Sequence, residues 1–485
     1  MNRIMLIYPP GKAYQRSEDR AQCNIDDSAA TTIHACNDLG YAAAILLQKN
    51  FEVFLRDYQT EKSDFDDVKK DIADFLPDII VISTTNATVL SDLEFINKIS
   101  DLHKCEFIVK GAIFFDIPYE LLETLDLRNV NYLSGGEIDT VIGSLCECII
   151  NKTNGFDSIP GIIYRDNGVF KKTDFTEWYT DLDSIPFPAR ELMKNELYLR
   201  PDTGEPMATI QVSRGCPSNC TYCLTPVISG KCIRKRSAKN IFSEIEECYC
   251  KFGIKNFFFK ADTFTIDSEW AEAVCDMIIN SDLHGKIEFT VNSRVKPLEP
   301  SLLKKLKDAG CFTIAVGFES GSDETLKKIR KGTTVSDNLR AARIIKESGI
   351  PLFGFFMIGF PWETKEDIIK TLDFMLEIDP DFTELHIAMP YYGTELYSQC
   401  RQYNTVNADA WGNDYFSPNT VGTQTVTMDE IKRLKGRYLL KFYLRPKYIL
   451  RKFASCIHNP VILKNYIKYG FRLVRNVFKS QKTGD

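Results

Sequence analysis

The chain carries two long runs of alternating strand and helix patterns, one before residue 150 and one after residue 200. In the first, RIMLIYPP, FEVFLRDY, IIVISTT, CEFIVKGAIFF and NVNYLSGGE are short apolar runs. Between them lie amphipathic stretches such as NDLGYAAAILLQKN, FDDVKKDIADFLPD, LSDLEFINKISDL and IDTVIGSLCECII. Apolar strands separated by helices of roughly ten or more residues predict a doubly wound parallel sheet. Ligands of such sheets lie beyond the carboxyl ends of the strands, where the strand order reverses. Those ends are Pro9–Lys12, Ser83–Ala87, Gly111–Phe114 and Ser134–Glu137, rich in glycine and small polar residues. They predict a nucleotide-sized crevice without the GxGxxG fingerprint of a dinucleotide site.

The second run is MATIQVSRGC, IKNFFFKADTFT, KIEFTVNSR, FTIAVGFES, PLFGFFMIGFP and TELHIAMPYY, with helices such as SLLKKLKDAG and TVSDNLRAARIIKESG between. Six strands with right-handed crossovers predict an open or partial (β/α)6 barrel, its chemistry at the strands' carboxyl ends. The intervening Pro160–Arg190 reads as a hairpin followed by a proline-broken linker. The fold class is therefore α/β, divided as residues 1–150, 151–199, 200–400 and a basic, mostly helical 401–485.

Directly after the first barrel strand, SRGCPSNCTYC places Cys216, Cys220 and Cys223 at C-x3-C-x2-C spacing. A structural zinc site wants four ligands and would have to borrow Cys232. A disulfide framework wants an even number of cysteines in a small secreted chain. The start of the chain shows no signal-peptide pattern and no apolar run spans a membrane, so its fifteen cysteines are expected in a reducing cytosol. Cys248, Cys275 and Cys311 read as inert core. Three thiolates suit a [4Fe–4S] cluster with one iron open to an external ligand. Gly215 and Pro217 suit the tight backbone that converging thiolates need, Arg214 leads in, and Tyr222 offers an aromatic face.

This loop resembles that of the radical S-adenosylmethionine (radical SAM) superfamily. Ile7–Pro10, Ser134–Glu137 (SGGE), GIIYRDNG, DLDSIPFPAR, FFFKADTFT, VGFESGSDETLKKIRKGTT, FMIGFPWET and PYYGTELY, in this order, resemble the subgroup with an amino-terminal cobalamin-binding domain. The resemblance implies that Cys216, Cys220 and Cys223 ligate the cluster and that its open iron takes the amino and carboxylate groups of S-adenosylmethionine. Reductive cleavage would then give methionine and a 5′-deoxyadenosyl radical. Tyr222, Gly317, Glu319 and Ser320 would face this cofactor, Arg294 would pair with its carboxylate, and Gly359 and Pro361 would let backbone approach the adenine. Ser83, Thr84, Gly111, Gly135, Gly136 and Glu137 would line the cobalamin crevice.

The cobalamin motif D-x-H-x-x-G is absent, so cobalamin is expected without a histidine on cobalt. His34 is expected to be structural, and among His103, His284, His386 and His458 only His386 is placed to face a barrel interior, as a satisfied core residue. From Asp429 onward fifteen Lys/Arg oppose three Asp/Glu, leaving 45 basic and 63 acidic residues elsewhere: +12 against −18. The acidic body argues against nucleic-acid binding. The tail IKRLKGRYLLKFYLRPKYILRKF either covers the barrel with its apolar stripe or meets an anionic membrane peripherally, with a lipid-like substrate. The expected reaction is cobalamin-dependent methylation of an unactivated carbon of a small-molecule or lipid-like substrate, fed by an external flavodoxin- or ferredoxin-type electron donor. A radical cyclase like the anaerobic magnesium-protoporphyrin ester cyclase is the alternative. A methylthiotransferase would need a second cysteine cluster that Cys23, Cys36 and Cys105 do not form, and an iron–sulfur sensor would not need the cofactor strands.

Overall fold

A computed structural model describes residues 2–17, 23–28, 32–175, 178–407, 411–413, 418–457 and 459–482; His458 lies outside them. The first sheet holds β1 (Arg3–Tyr8), β2 (Glu52–Asp57), β3 (Ile79–Ser83), β4 (Glu106–Lys110), β5 (Tyr132–Ser134), β6 (Ile162–Asp166) and β7 (Val169–Lys172). Its order is β2-β1-β3-β4-β5-β6-β7. β1 to β5 are parallel, and the hairpin β6–β7 joins antiparallel at the β5 edge. The reversal of strand order thus falls at β1, flanked by β2 and β3. Ile79–Ser83 is buried along its whole length, as a central parallel strand covered by helices on both faces must be. Helices Asn37–Gln48 and Ile142–Asn151 cover one face; Phe65–Phe75 and Val89–Ser100 cover the other.

β8 (Met207–Gln211) opens the barrel. A two-residue ladder, β9 (Ser213–Arg214) with β10 (Arg234–Lys235), braces the cysteine loop. β11 (Asn256–Lys260), β12 (Glu288–Ser293), β13 (Cys311–Glu319), β14 (Leu352–Ile358) and β15 (Phe382–Ile387) come next along the chain, each parallel to the one before in the order β15-β14-β13-β12-β11-β8. β8 and β15 do not pair among the described residues, which leaves a seam.

Two segments remote in sequence close that seam. The connection after β1 crosses it: the Ser28 hydroxyl donates to Glu384 on β15, Lys260 on β11 donates to the Ser17 carbonyl, and the His34 ring lies 4.8 Å from that of Phe258. From the other end of the chain, helix Pro460–Lys482 binds the same connection, Asn476 donating to the Asp26 carbonyl at 2.6 Å. Its Leu473 and Val477 join Phe442 and Tyr448 in the barrel's apolar core. The tail therefore does bury an apolar stripe on the barrel. No helix among the described residues is long and apolar enough to cross a membrane.

Candidate functional site

Gly215 turns the chain into the cysteine loop at φ +84°, where a Cβ would stand 2.2 Å from the Cys232 carbonyl oxygen. Cys216 N–H donates to the Gly230 carbonyl and Thr221 N–H to that of Ile329, so the loop is pinned at both ends. The first sheet contributes too. Arg214 binds Asp139 and, at 3.0 Å, Glu137, while Arg234 binds Glu137 at 2.5 Å. Glu137 is therefore engaged in fixing the cysteine loop to the first sheet, at some distance in role from the crevice residue that the sequence suggests.

Cys216, Cys220 and Cys223 line one end of a cavity of about 780 Å³, well within the range of about 300–1,000 Å³ for ligand pockets. One Zn²⁺ ion would draw its sulfurs to within about 4 Å of each other, from bonds of about 2.3 Å at tetrahedral angles. No three His, Cys, Asp or Glu side chains among the described residues are gathered around a single ion in this way. A cubane asks for less convergence, because each thiolate takes a different iron. The exposed Cys232 is not among the residues lining the cavity. Burial pushes the Cys223 thiol up to about 11, with Thr225 hydrogen bonding opposing and Cys220 adding. Binding metal there must release its proton. Arg294, at the end of β12, donates to Cys220 Sγ at 3.6 Å and to the Lys331 carbonyl, and supplies the positive charge that a set of thiolates needs.

Beside the thiols, Glu319 Oε1 accepts from Lys331 Nζ at 2.6 Å, both side chains under 10 % exposed, and Lys331 reaches Tyr222 Oη at 3.3 Å. A Cβ on Gly317 would lie 2.4 Å from that Glu319 oxygen and 2.8 Å from Lys331 Nζ, so any larger residue would displace the charged ends of the pair. Glu319 has φ +64° at a register shift between β13 and β14. A non-glycine residue held left-handed costs about 1–3 kcal/mol and marks a site where the surroundings dictate the backbone. That kink redirects the next side chain. Ser320, expected to face the cofactor, instead points to helix Lys365–Ile378, its hydroxyl 2.9 Å from that of Thr371. Gly359 and Pro361 do not line the cavity either. They form a turn whose Phe360 packs 6.2 Å from the Tyr222 ring, with Glu363 Oε2 accepting the N–H groups of Gly359 (2.7 Å) and Phe360 (3.1 Å).

At the crevice of the first sheet, Ser83 and Thr84 are fully buried, their hydroxyls donating to Asp38 and Asp92 at 2.7 Å each. Asp92 also pairs bidentately with buried Arg16 at 2.6 and 3.0 Å, and Asp38 with Lys110 at 3.1 Å and Tyr8. Burial alone would raise Asp38, but Lys110, Tyr8 and Ser83 together hold it below its ordinary value. These hydroxyls stiffen the sheet end and do not face an open crevice. Gly111 and Gly135 are closely packed, a Cβ on the latter falling 2.0 Å from Phe115 N, whereas one on Gly136 would meet only the Phe115 ring at 3.8 Å. The two sets of strand ends meet at an apolar junction of Ala112, Leu224, Ile228, Met389 and Tyr391, bordered by Phe115. An apolar junction between two sheet ends suits the faces of a flat macrocycle better than it suits a polar nucleotide.

The pattern of the sequence did not single out Lys331, Arg16 or Asp92. It placed His386 in the barrel interior, where it lies 3.6 Å from Glu384 and lines the cavity. His34, expected to be merely structural, lines the same cavity because its segment crosses the seam. Cys248, Cys275 and Cys311 are buried in the barrel core, and burial raises all three thiols. Cys36 receives a hydrogen bond from Tyr198 at 3.1 Å.

Comparison with known proteins places this geometry. Residues 210–375 match the Radical SAM superfamily. An uncharacterized methyltransferase of Pyrococcus horikoshii is 28 % identical over 430 residues, 89 % of this chain and 92 % of that protein. The cobalamin-dependent S-adenosylmethionine radical enzyme OxsB, solved with aqua-cobalamin and S-adenosylmethionine bound, superposes with a TM-score of 0.72 over 99 % of this chain and 72 % of its own, at 16 % identity. The radical S-adenosylmethionine methyltransferase TsrM of Kitasatospora setae, with tryptophan and a cofactor analogue bound, gives a TM-score of 0.65 over 82 % and 76 %, at 18 % identity.

Proposed function

We propose that the chain, whose residues 210–375 match the Radical SAM superfamily, is a cobalamin-dependent radical SAM enzyme that methylates an unactivated carbon. The observation that carries this reading is that Cys216, Cys220 and Cys223, three thiols of one short loop, line a cavity beside a buried Lys331–Glu319 pair and Arg294. When bound, a [4Fe–4S] cluster would supply the electron that splits S-adenosylmethionine into methionine and an adenosyl radical, and cobalamin the methyl group. Cys216, Cys220 and Cys223 would hold the cluster, each losing a proton to do so. Arg294 balances the thiolate charge and, with Lys331, presents cations to the cofactor's carboxylate, while Glu319 accepts from its ammonium or ribose hydroxyls. Tyr222 and Phe360 keep water from that end of the cavity. Ala112, Phe115, Leu224, Ile228 and Met389 would hold the corrin at the junction, and the lack of a D-x-H-x-x-G motif implies no histidine on cobalt.

An external one-electron donor and peripheral membrane contact by the tail belong to the same proposal. Methyl transfer and radical cyclisation would use every residue named above, and the mass of the product separates them. The test is release of 5′-deoxyadenosine by the reduced, cluster-loaded chain given S-adenosylmethionine. Lys331→Met should reduce it by about tenfold or more, since a hydrogen bond to a charged group such as the cofactor's carboxylate is worth about 1.5–3 kcal/mol. A fully loaded cluster that never yields the nucleoside would refute the reading.

A further inference from the structure

The cavity that begins at the thiols runs the length of the barrel. Closed eight-stranded barrels are filled by layers of bulky inward side chains, whereas this six-stranded one is open at its seam. Here β13 lines the lumen with Thr313, Ala315 and Gly317, three small residues in succession, and the lumen is hollow beside them. From Glu319 down to Phe312 the strand takes seven steps, about 23 Å at about 3.3 Å per residue. Midway, Thr290, Asn292, Glu384 and His386 add polar side chains to the lining. Below them the walls are mostly aromatic and aliphatic, with Phe312, Phe353, Phe382, Tyr448 and Tyr466.

The lower end emerges between helices Pro446–Cys456 and Pro460–Lys482. Leu444, Ile449, Phe453 and Ile467 line the cavity there and yet are 48–56 % exposed. On the second helix Val461, Lys464, Ile467, Lys468, Phe471 and Arg475 are all exposed. At 3.6 residues per turn these six share one sector of about 120°. Bulky apolar and cationic side chains interleaved on one helix face match an anionic lipid surface, in apolar depth and in charge. Ile467, at one edge of that face, also lines the cavity, as does Lys452 of the first helix, so the basic face adjoins the mouth.

We propose that the lumen is the hydrocarbon-binding part of the substrate site, taking the chain of a long-chain anionic amphiphile from a membrane surface. Its head stays at the basic mouth, and an unactivated chain carbon reaches the thiol end. That last clause rests on the proposed radical chemistry; the lodging of the chain does not. The probe is cis-parinaric acid, titrated into the full-length chain without cluster or cofactor. One saturable site is expected. Ala315→Trp fills the lumen, and Gly470→Trp plugs the mouth at a helix position where a Cβ meets nothing within 4 Å. Each should weaken the probe by about tenfold or more, while an unchanged circular dichroism melt for Gly470→Trp shows that the fold is intact. Co-sedimentation with phosphatidylglycerol vesicles at low salt should be lost in the triple variant Lys464→Glu/Lys468→Glu/Phe471→Ser. Absence of saturable binding, or binding indifferent to both plugs, would overturn the inference. If the loaded protein still released 5′-deoxyadenosine in that case, the radical reading would stand without a lipid substrate.

Discussion

Replacing Glu363 with glutamine should remove a pH dependence of stability that the native chain carries. Glu363 sits just past the turn after β14, buried, with its Oε2 accepting from Gly359 and Phe360 and Thr325 donating to Oε1 at 3.4 Å. Burial pushes its carboxyl from an ordinary 4.5 up to about 8, against the pull of those hydrogen bonds. Between those values the folded chain holds a proton that the unfolded chain has released. Stability from this group is therefore complete below about pH 4.5 and is lost as pH rises through about 8. At about 1.4 kcal/mol per pH unit, the full span is worth about 5 kcal/mol. Glutamine keeps an oxygen for both N–H groups and cannot ionise. Urea denaturation at about pH 5 and about pH 9 measures the effect, since every other titrating group is common to both proteins. The native chain should lose several kcal/mol more than Glu363→Gln across that interval. Parallel losses would refute the reasoning. Because this turn sets Phe360 against Tyr222, cluster retention should weaken over the same alkaline range.

The same packing has other consequences. Arg16→Met should lower stability by about 3–5 kcal/mol, because Asp92 is left charged and buried, and denaturant midpoints for this variant against Arg16→Met/Asp92→Leu should show partial recovery in the double variant. Gly215→Ala should abolish iron incorporation on anaerobic reconstitution while leaving far-ultraviolet circular dichroism intact, whereas Cys232→Ala should incorporate iron as the native chain does. Gly436→Leu, placed where an added Cβ alone would stand 3.0 Å from Val477, should part helix Pro460–Lys482 from helix Met428–Tyr443 at a cost of about 1–3 kcal/mol. A thermal melt with light scattering should register it as earlier aggregation.

Both sheets were legible because a parallel strand covered on two faces, such as Ile79–Ser83, reads as an unbroken apolar run between helices, and Leu352–Ile358 does the same because its cavity face is apolar too. The cysteine loop was legible because its spacing is local. What could not be read depends on partners far apart in the chain. The seam between β8 and β15 is closed by the connection after β1 and by a helix more than 400 residues later, and nothing in either segment names the other. Ser320 follows strand alternation on paper, yet the left-handed backbone at Glu319 turns it outward. Ser83 and Thr84 look like crevice residues by position and are drawn inward by Asp38 and Asp92, acids that a helix pattern leaves unremarked. Lys331 lies twelve residues beyond Glu319 and meets it only because the chain loops back across the strand end.

The claim that three thiolates leave one iron open for S-adenosylmethionine is tested most directly by electron–nuclear double resonance on the reduced cluster. The sample is the anaerobically reconstituted chain, carrying about four irons, given S-adenosylmethionine isotopically labelled at its amino nitrogen. A hyperfine coupling to the label strong enough for direct iron–nitrogen bonding is the predicted result, lost when Cys216, Cys220 and Cys223 are all changed to alanine. A four-iron cluster whose spectrum shows no coupling to the label would contradict the account.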